Sequence, residues 1–119
     1  MIGILNNDKS ITGIYLHFDG FTHNAGKILR EHYTTVEKVE ALMTLGDLSI
    51  LGPEIGEKQD FEGERNRDWC LAYGRDRGEP DTDAQTFNNL ADYCYREYNY
   101  VFDGKTWLCY DHKGVAIKW

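Results

Sequence analysis

Residues Trp69 to Pro80 read Trp-Cys-Leu-Ala-Tyr-Gly-Arg-Asp-Arg-Gly-Glu-Pro, and they restrict the fold more than any other stretch. A β-prone run, Trp69 to Tyr73, is cut at Gly74. Arg75, Asp76, Arg77 and Glu79 follow, with Gly78 among them, and Pro80 and Asp81 then open a predicted helix. A strand, a charged glycine loop and a helix start in succession form a common seat for a binding site, because glycine admits backbone shapes that other residues resist. Arg75 and Arg77 carry the planar guanidinium fork that suits carboxylate or phosphate. The plainer reading of the same residues is an internal Arg–Asp and Arg–Glu network that pins the loop.

The flanking patterns set the fold class. Met1 to Leu5 is apolar and Asn6 to Lys9 is a turn. Ile11 to Phe18 alternates, with Ile14, Leu16 and Phe18 on one face and Tyr15, His17 and Asp19 on the other. Helical spacing follows over Thr22–Tyr33 and over Thr35–Leu45, the second helix preceded by a Thr34/Glu37 capping pair. A further helix is predicted over Asp83–Tyr95 from the stripe Ala84, Phe87, Leu90, Ala91, Cys94. Tyr98 to Phe102, Thr106 to Tyr110 and Val115 to Trp119 read as a meander turning first at Asp103-Gly104. The expected fold is therefore α+β over one domain, 1–119. It is a twisted, mostly antiparallel sheet with two to three helices packed on one face, the other face carrying part of the Tyr, His and Trp set. The acidic stretch Gly56 to Asp68 is the expected mobile loop.

Charge and chemistry narrow the function classes. The net charge of −7 disfavours direct binding to nucleic acid or to an anionic membrane and suits a partner with a basic surface. Phosphate-backbone mimicry would need rows of carboxylates, and Lys58, Arg65 and Arg67 interrupt those of Gly56–Asp68. Cys70, Cys94 and Cys109 form no C-x-x-C pair and lie within apolar patterns, as reduced, packed thiols of a cytoplasmic protein do. No signal peptide or membrane-length apolar run is present. His17, Asp19 and His23 invite a metal reading, but no complete ligand set is visible and no cofactor is expected. Cys70, His17 and Asp19 supply the residue types of a nucleophilic triad without any signature that joins them. Gly74–Gly78 is too short for a phosphate loop and lacks its Lys-Ser/Thr.

A further signal comes from the series Ile14-Tyr15-Leu16-His17-Phe18-Asp19-Gly20, Gly26-Lys27-Ile28-Leu29, Leu45-Gly46-Asp47-Leu48-Ser49-Ile50-Leu51-Gly52, Tyr73-Gly74-Arg75-Asp76-Arg77-Gly78-Glu79 and Glu97-Tyr98-Asn99-Tyr100-Val101-Phe102. The series resembles a family of small acidic proteins encoded by bacteriophages and prophages, whose function is not established. The resemblance spans most of the chain and is most specific at Tyr73–Glu79; Gly56–Asp68 carries least of it. It brings no catalytic residues. It implies a phage accessory protein that acts on its host by binding, such as an inhibitor of a bacterial defence system of the anti-CRISPR kind, in the cytoplasm of the host cell. The contact surface expected for such a non-catalytic binder comprises Tyr15, His17, Asp19, Tyr73, Arg75 and Arg77. An alternative is a small-ligand binder that sequesters an anionic, nucleotide-like signal, gripped by Arg75 and Arg77 and stacked on an aromatic ring.

Overall fold

The computed structural model describes residues 1–119 and begins with an antiparallel hairpin of β1 (Ile2–Leu5) and β2 (Ile11–Ile14). Its turn closes through the Asn6 N–H donating to the Ser10 carbonyl at 2.8 Å, with Lys9 in the left-handed region at φ 75°. The apolar β1 takes the centre of the sheet. It pairs in parallel with β6 (Asn99–Phe102) on its other side. The Asp103-Gly104 turn sends the chain back as β7 (Trp107–Tyr110), antiparallel to β6. A short strand, β5 (Gln85–Phe87), lies antiparallel on the outer edge of β2. The order β5-β2-β1-β6-β7 gives a mixed, mostly antiparallel sheet, and a two-stranded sheet of β3 (Leu48–Ile50) and β4 (Leu71–Ala72) stands beside it. The fold is α+β.

A π-helical turn at Thr22–Gly26 runs into α1 (Lys27–His32), and α2 (Val36–Leu45) follows. The α2 cap is Thr35, one residue later than the Thr34/Glu37 spacing suggests, its side chain accepting from the Lys38 N–H at 3.3 Å. Leu29, Tyr33, Val39, Leu42 and Met43 pack with Ile2, Ile14, Tyr100, Phe102 and Trp107 of the sheet. Each fully buried aliphatic side chain there contributes roughly 1.5–3 kcal/mol. Leu48, Leu51, Cys70 and Ala72 of the smaller sheet region belong to the same core.

The opposite face of the main sheet is partly covered too. Tyr93, at the end of α4 (Leu90–Tyr93), is wholly buried against the register pair Gly3↔Gly13. A Cβ on Gly13 would sit 2.5 Å from the Tyr93 ring, so both glycines are there to let the ring approach the strands. The Tyr93 hydroxyl donates to the Tyr100 carbonyl at 2.6 Å, and Met1, Ile11, Cys94 and Val101 surround it.

Several elements depart from the expectation, each for a local reason. The strand ends at Ile14 rather than Phe18 because the chain changes partner. The Tyr15 N–H donates to Asp47 Oδ1 at 2.9 Å, and Leu16 forms a parallel bridge with Leu48. The His17 and Phe18 N–H groups then donate to Leu48 and Ser49. Phe18 is thereby turned outward and stands 51% exposed. The single helix expected over Asp83–Tyr95 divides into β5 and the one-turn α4. Gln85–Phe87 fill the free edge of β2, and Asn89 caps α4 by accepting from the Asp92 N–H at 2.9 Å. The strand expected over Trp69–Tyr73 is only Leu71–Ala72, and the charged loop after it is a helical turn, α3 (Tyr73–Arg77). The last strand of the meander reduces to a bridge between Tyr110 and Ala116. No helix is long and apolar enough to cross a membrane.

Candidate functional site

The five residues of α3 are too few to hold a helix on propensity alone, so the surroundings must fix it. Gly78, at φ 71°, closes its C-terminal end: the Gly78 N–H donates to Gly74 and the Glu79 N–H to Tyr73. Asp76 does the rest. Its side chain has no solvent exposure and accepts from the Ala72 N–H (2.8 Å), the Gln59 N–H (3.0 Å) and Arg75 Nε (2.9 Å). Burial alone would raise the Asp76 carboxyl; Arg75 and the two backbone donors outweigh it and hold it below the usual carboxylate range. Arg75 also donates through Nη1 to the Ile55 carbonyl at 2.7 Å and through Nη2 to the Cys70 carbonyl at 2.8 Å. All three of its nitrogens are thus engaged inside the protein. Arg75 and Asp76 clasp α3 to residues 55–59 at the start of the acidic segment. That segment contains no regular element, and Gln59 secures it further by donating to the Cys70 carbonyl and accepting from the Asn66 N–H, each at 3.0 Å.

Arg77 differs. It is 42% exposed, pairs with Glu79 at 2.7 Å, and lays its guanidinium over the rings of Phe61 (4.7 Å) and Tyr73 (4.8 Å). Tyr73 is half-buried and borders a cleft of about 310 Å³ whose walls are Tyr15, Asp47, Tyr73, Arg77, Glu79 and Asp81. Tyr15 also borders a second cleft, of about 290 Å³, with Leu16, His17, Arg96, Glu97 and Tyr98. The Tyr15 hydroxyl and His17 Nδ1 are hydrogen-bonded at 2.8 Å, and the exposed His17 ring stands edge-on to Phe18 at 4.3 Å. The Arg96 guanidinium lies 4.5 Å from the Tyr15 ring and 5.1 Å from that of Tyr95. Phe61, Arg77, Tyr73, Tyr15, Arg96 and Tyr95 therefore line one face, with Tyr15 at its centre and His17 and Phe18 alongside.

Of the residues singled out in the sequence, Tyr15, His17, Tyr73 and Arg77 are brought together there. Asp19 is exposed in a turn at φ 58°, where its carbonyl accepts from the Asn24 side chain, and it lines neither cleft. Arg75 borders a separate concavity of about 600 Å³ between α2 and Glu79–Asp83, with its donors already engaged. Arg96, Tyr95, Phe18, Phe61 and Asp47 join the face without having been singled out. The run Tyr95-Arg96-Glu97-Tyr98, an arginine among aromatics, was the available signal for the first two.

The other chemistries find no assembled site. His17 is bonded to Tyr15 and His23 is stacked on Phe21 at 4.2 Å, and no group of three His, Cys, Asp or Glu side chains is placed to hold a metal ion. Cys70 is buried beside the Tyr33 hydroxyl and the Gly52 N–H, its thiol pushed up by burial, while the His17 ring is exposed and bonded to Tyr15. Cys94 is likewise raised by burial, to about 11. No family model, no curated protein and no solved structure matches the chain.

Proposed function

We propose that the protein is a phage or prophage accessory factor that binds and inhibits a component of a bacterial defence system, without catalysis. The observation that carries the binding half of this reading is the Tyr15-centred face. Tyr, Phe and Arg side chains held against one another around two clefts are the composition of interface hot spots, which concentrate binding energy in rigid aromatic and arginine anchors. The rings are fixed by hydrogen bonds and stacking before any partner arrives, which lowers the ordering cost of association. The acidic balance favours encounter with a basic surface. The host setting rests on the family resemblance of the Tyr73–Glu79 and Glu97–Phe102 motifs. Sequestration of an anionic nucleotide-like signal is the weaker reading, because Arg75, one of the two arginines it requires, is fully engaged internally.

The test is expression of the protein in bacterial hosts that each carry one defence system, followed by challenge with a phage that the system restricts. The reading expects plating to be restored in one host and restriction to return with Tyr15→Ala. Unchanged restriction in every host, with the protein expressed and folded, overturns the anti-defence role.

A further inference from the structure

The two clefts that share Tyr15 differ in which charges lack a partner, and this specifies the partner further than a basic surface does. On one side, Arg96 makes no ion pair, and its guanidinium donates no hydrogen bond to the protein. Tyr15 and Tyr95 hold it by their ring faces and leave its N–H edge unmet. Glu97 lines the same cleft without pairing with it. The protein's other aromatic-stacked guanidiniums have acceptors: Arg77 has Glu79, and Arg30 donates to the Trp119 carbonyl. On the other side of Tyr15, Glu79 is neutralised by Arg77, but Asp47 and Asp81 have no cationic partner. The Asp47 carboxylate accepts only the Tyr15 N–H, and burial together with nearby Glu79 and Asp83 raises it, a crowding that a cation would relieve.

Resting on the protein-binding reading above, we infer that the face receives one protein segment that presents a carboxylate side chain to Arg96 and a lysine or arginine to the Tyr15–Tyr73 cleft, straddling Tyr15. A guanidinium with its fork free binds carboxylate in two parallel hydrogen bonds. A cleft bordered by the unpaired carboxylates Asp47 and Asp81, beside an Arg77 already paired with Glu79, accepts a cation through its charge. The unpaired guanidinium on one side of Tyr15 and the unpaired carboxylates on the other also favour one direction of the segment, since the reversed segment would set its cation against Arg96 and its carboxylate against Asp47 and Asp81.

The probe is a set of capped peptides in which an arginine and a glutamate are separated by increasing numbers of glycines, titrated by calorimetry against the folded protein. One spacing is expected to bind about tenfold more tightly than the same peptide with glutamine for glutamate or for arginine, because the second contact becomes intramolecular. Arg96→Gln and Asp81→Asn, both at exposed positions where the new side chain fits the backbone, are each expected to remove that gain. In Arg96→Gln, changing the peptide glutamate should then have no further effect. Binding that follows the number of peptide arginines alone, or that survives both substitutions, overturns the inference, as does absence of binding at every spacing. Tighter binding of adenosine monophosphate than of any peptide, lost in Arg96→Gln, assigns the face to a nucleotide instead. A defence phenotype that depends on Tyr15 but not on Arg96 or Asp81 would leave the protein-binding reading standing and remove only this assignment.

Discussion

Replacing Asp76 with alanine tests whether the Arg75–Asp76 clasp is structural. The carboxylate accepts four hydrogen bonds, from the Ala72 N–H, the Gln59 N–H, Arg75 Nε and Arg75 Nη2, and has no solvent exposure. Removing one partner of a buried pair costs roughly 3–5 kcal/mol, since the other charge is left uncompensated. Arg75 keeps the Ile55 and Cys70 carbonyls as acceptors, which places the expected loss near the lower end, about 3 kcal/mol. In a domain stable by roughly 5–15 kcal/mol, this is a large fraction of the total. The assay is urea denaturation, with the midpoint falling at unchanged slope. Acid supplies the second arm. The Asp76 carboxyl is held below its ordinary value, so its contribution is present above the unfolded-state value, near 3.9, and is lost as pH falls through the lower, native one. The gap between wild type and Asp76→Ala should therefore be full at neutral pH and close in strong acid. A loss under about 1 kcal/mol, the range of an exposed pair, or a gap that does not change in acid, refutes the clasp.

Arg75→Gln should destabilise by at least about 2 kcal/mol and Arg77→Gln by less than about 1 kcal/mol, since only the second pair is exposed; equal effects in thermal melts would contradict the division between scaffold and face. Gly13→Ala drives a methyl group into the Tyr93 ring and should lower stability by roughly 1–3 kcal/mol, read as a reduced melting temperature, with a neutral effect showing that Tyr93 is not seated there. The three buried thiols, with Cys94 pushed up to about 11, should resist Ellman's reagent at pH 8 in the native state and react together on unfolding; rapid reaction of the native protein would contradict the core placement.

The fold class was legible because hairpin turns and alternation are local signals. The Asp103-Gly104 turn joins β6 to β7 and the opening hairpin forms where the sequence places them, and of the apolar stripe Val36, Val39, Leu42 and Met43 all but the exposed Val36 are buried. What was not legible depends on distant partners. The Ala84–Cys94 stripe has helical spacing, but the free edge of β2 takes Gln85–Phe87, and pairing there outweighs the weak helical preference of Thr86, Asn88 and Asn89. Phe18 has the parity of a core residue and becomes exposed because residues 15–18 pair with β3 instead of continuing along β2. The site was half legible for the same reason. Residue type singled out Tyr15, His17, Asp19, Tyr73, Arg75 and Arg77 as candidates, of which Asp19 lines neither cleft. It could not tell that Asp76 and two carbonyls engage Arg75 completely, nor that Arg96 comes to rest on Tyr15 from the far end of the chain.

The most direct measurement of the central claim is a comparison of wild type, Tyr15→Ala and Asp60→Asn as immobilised baits in lysate of a defence-bearing host, with captured proteins identified by mass spectrometry. The Tyr15-centred face predicts one host protein enriched equally on wild type and Asp60→Asn and missing from Tyr15→Ala, with all three baits melting as folded proteins. Equal capture by all three, or capture by none, would contradict it.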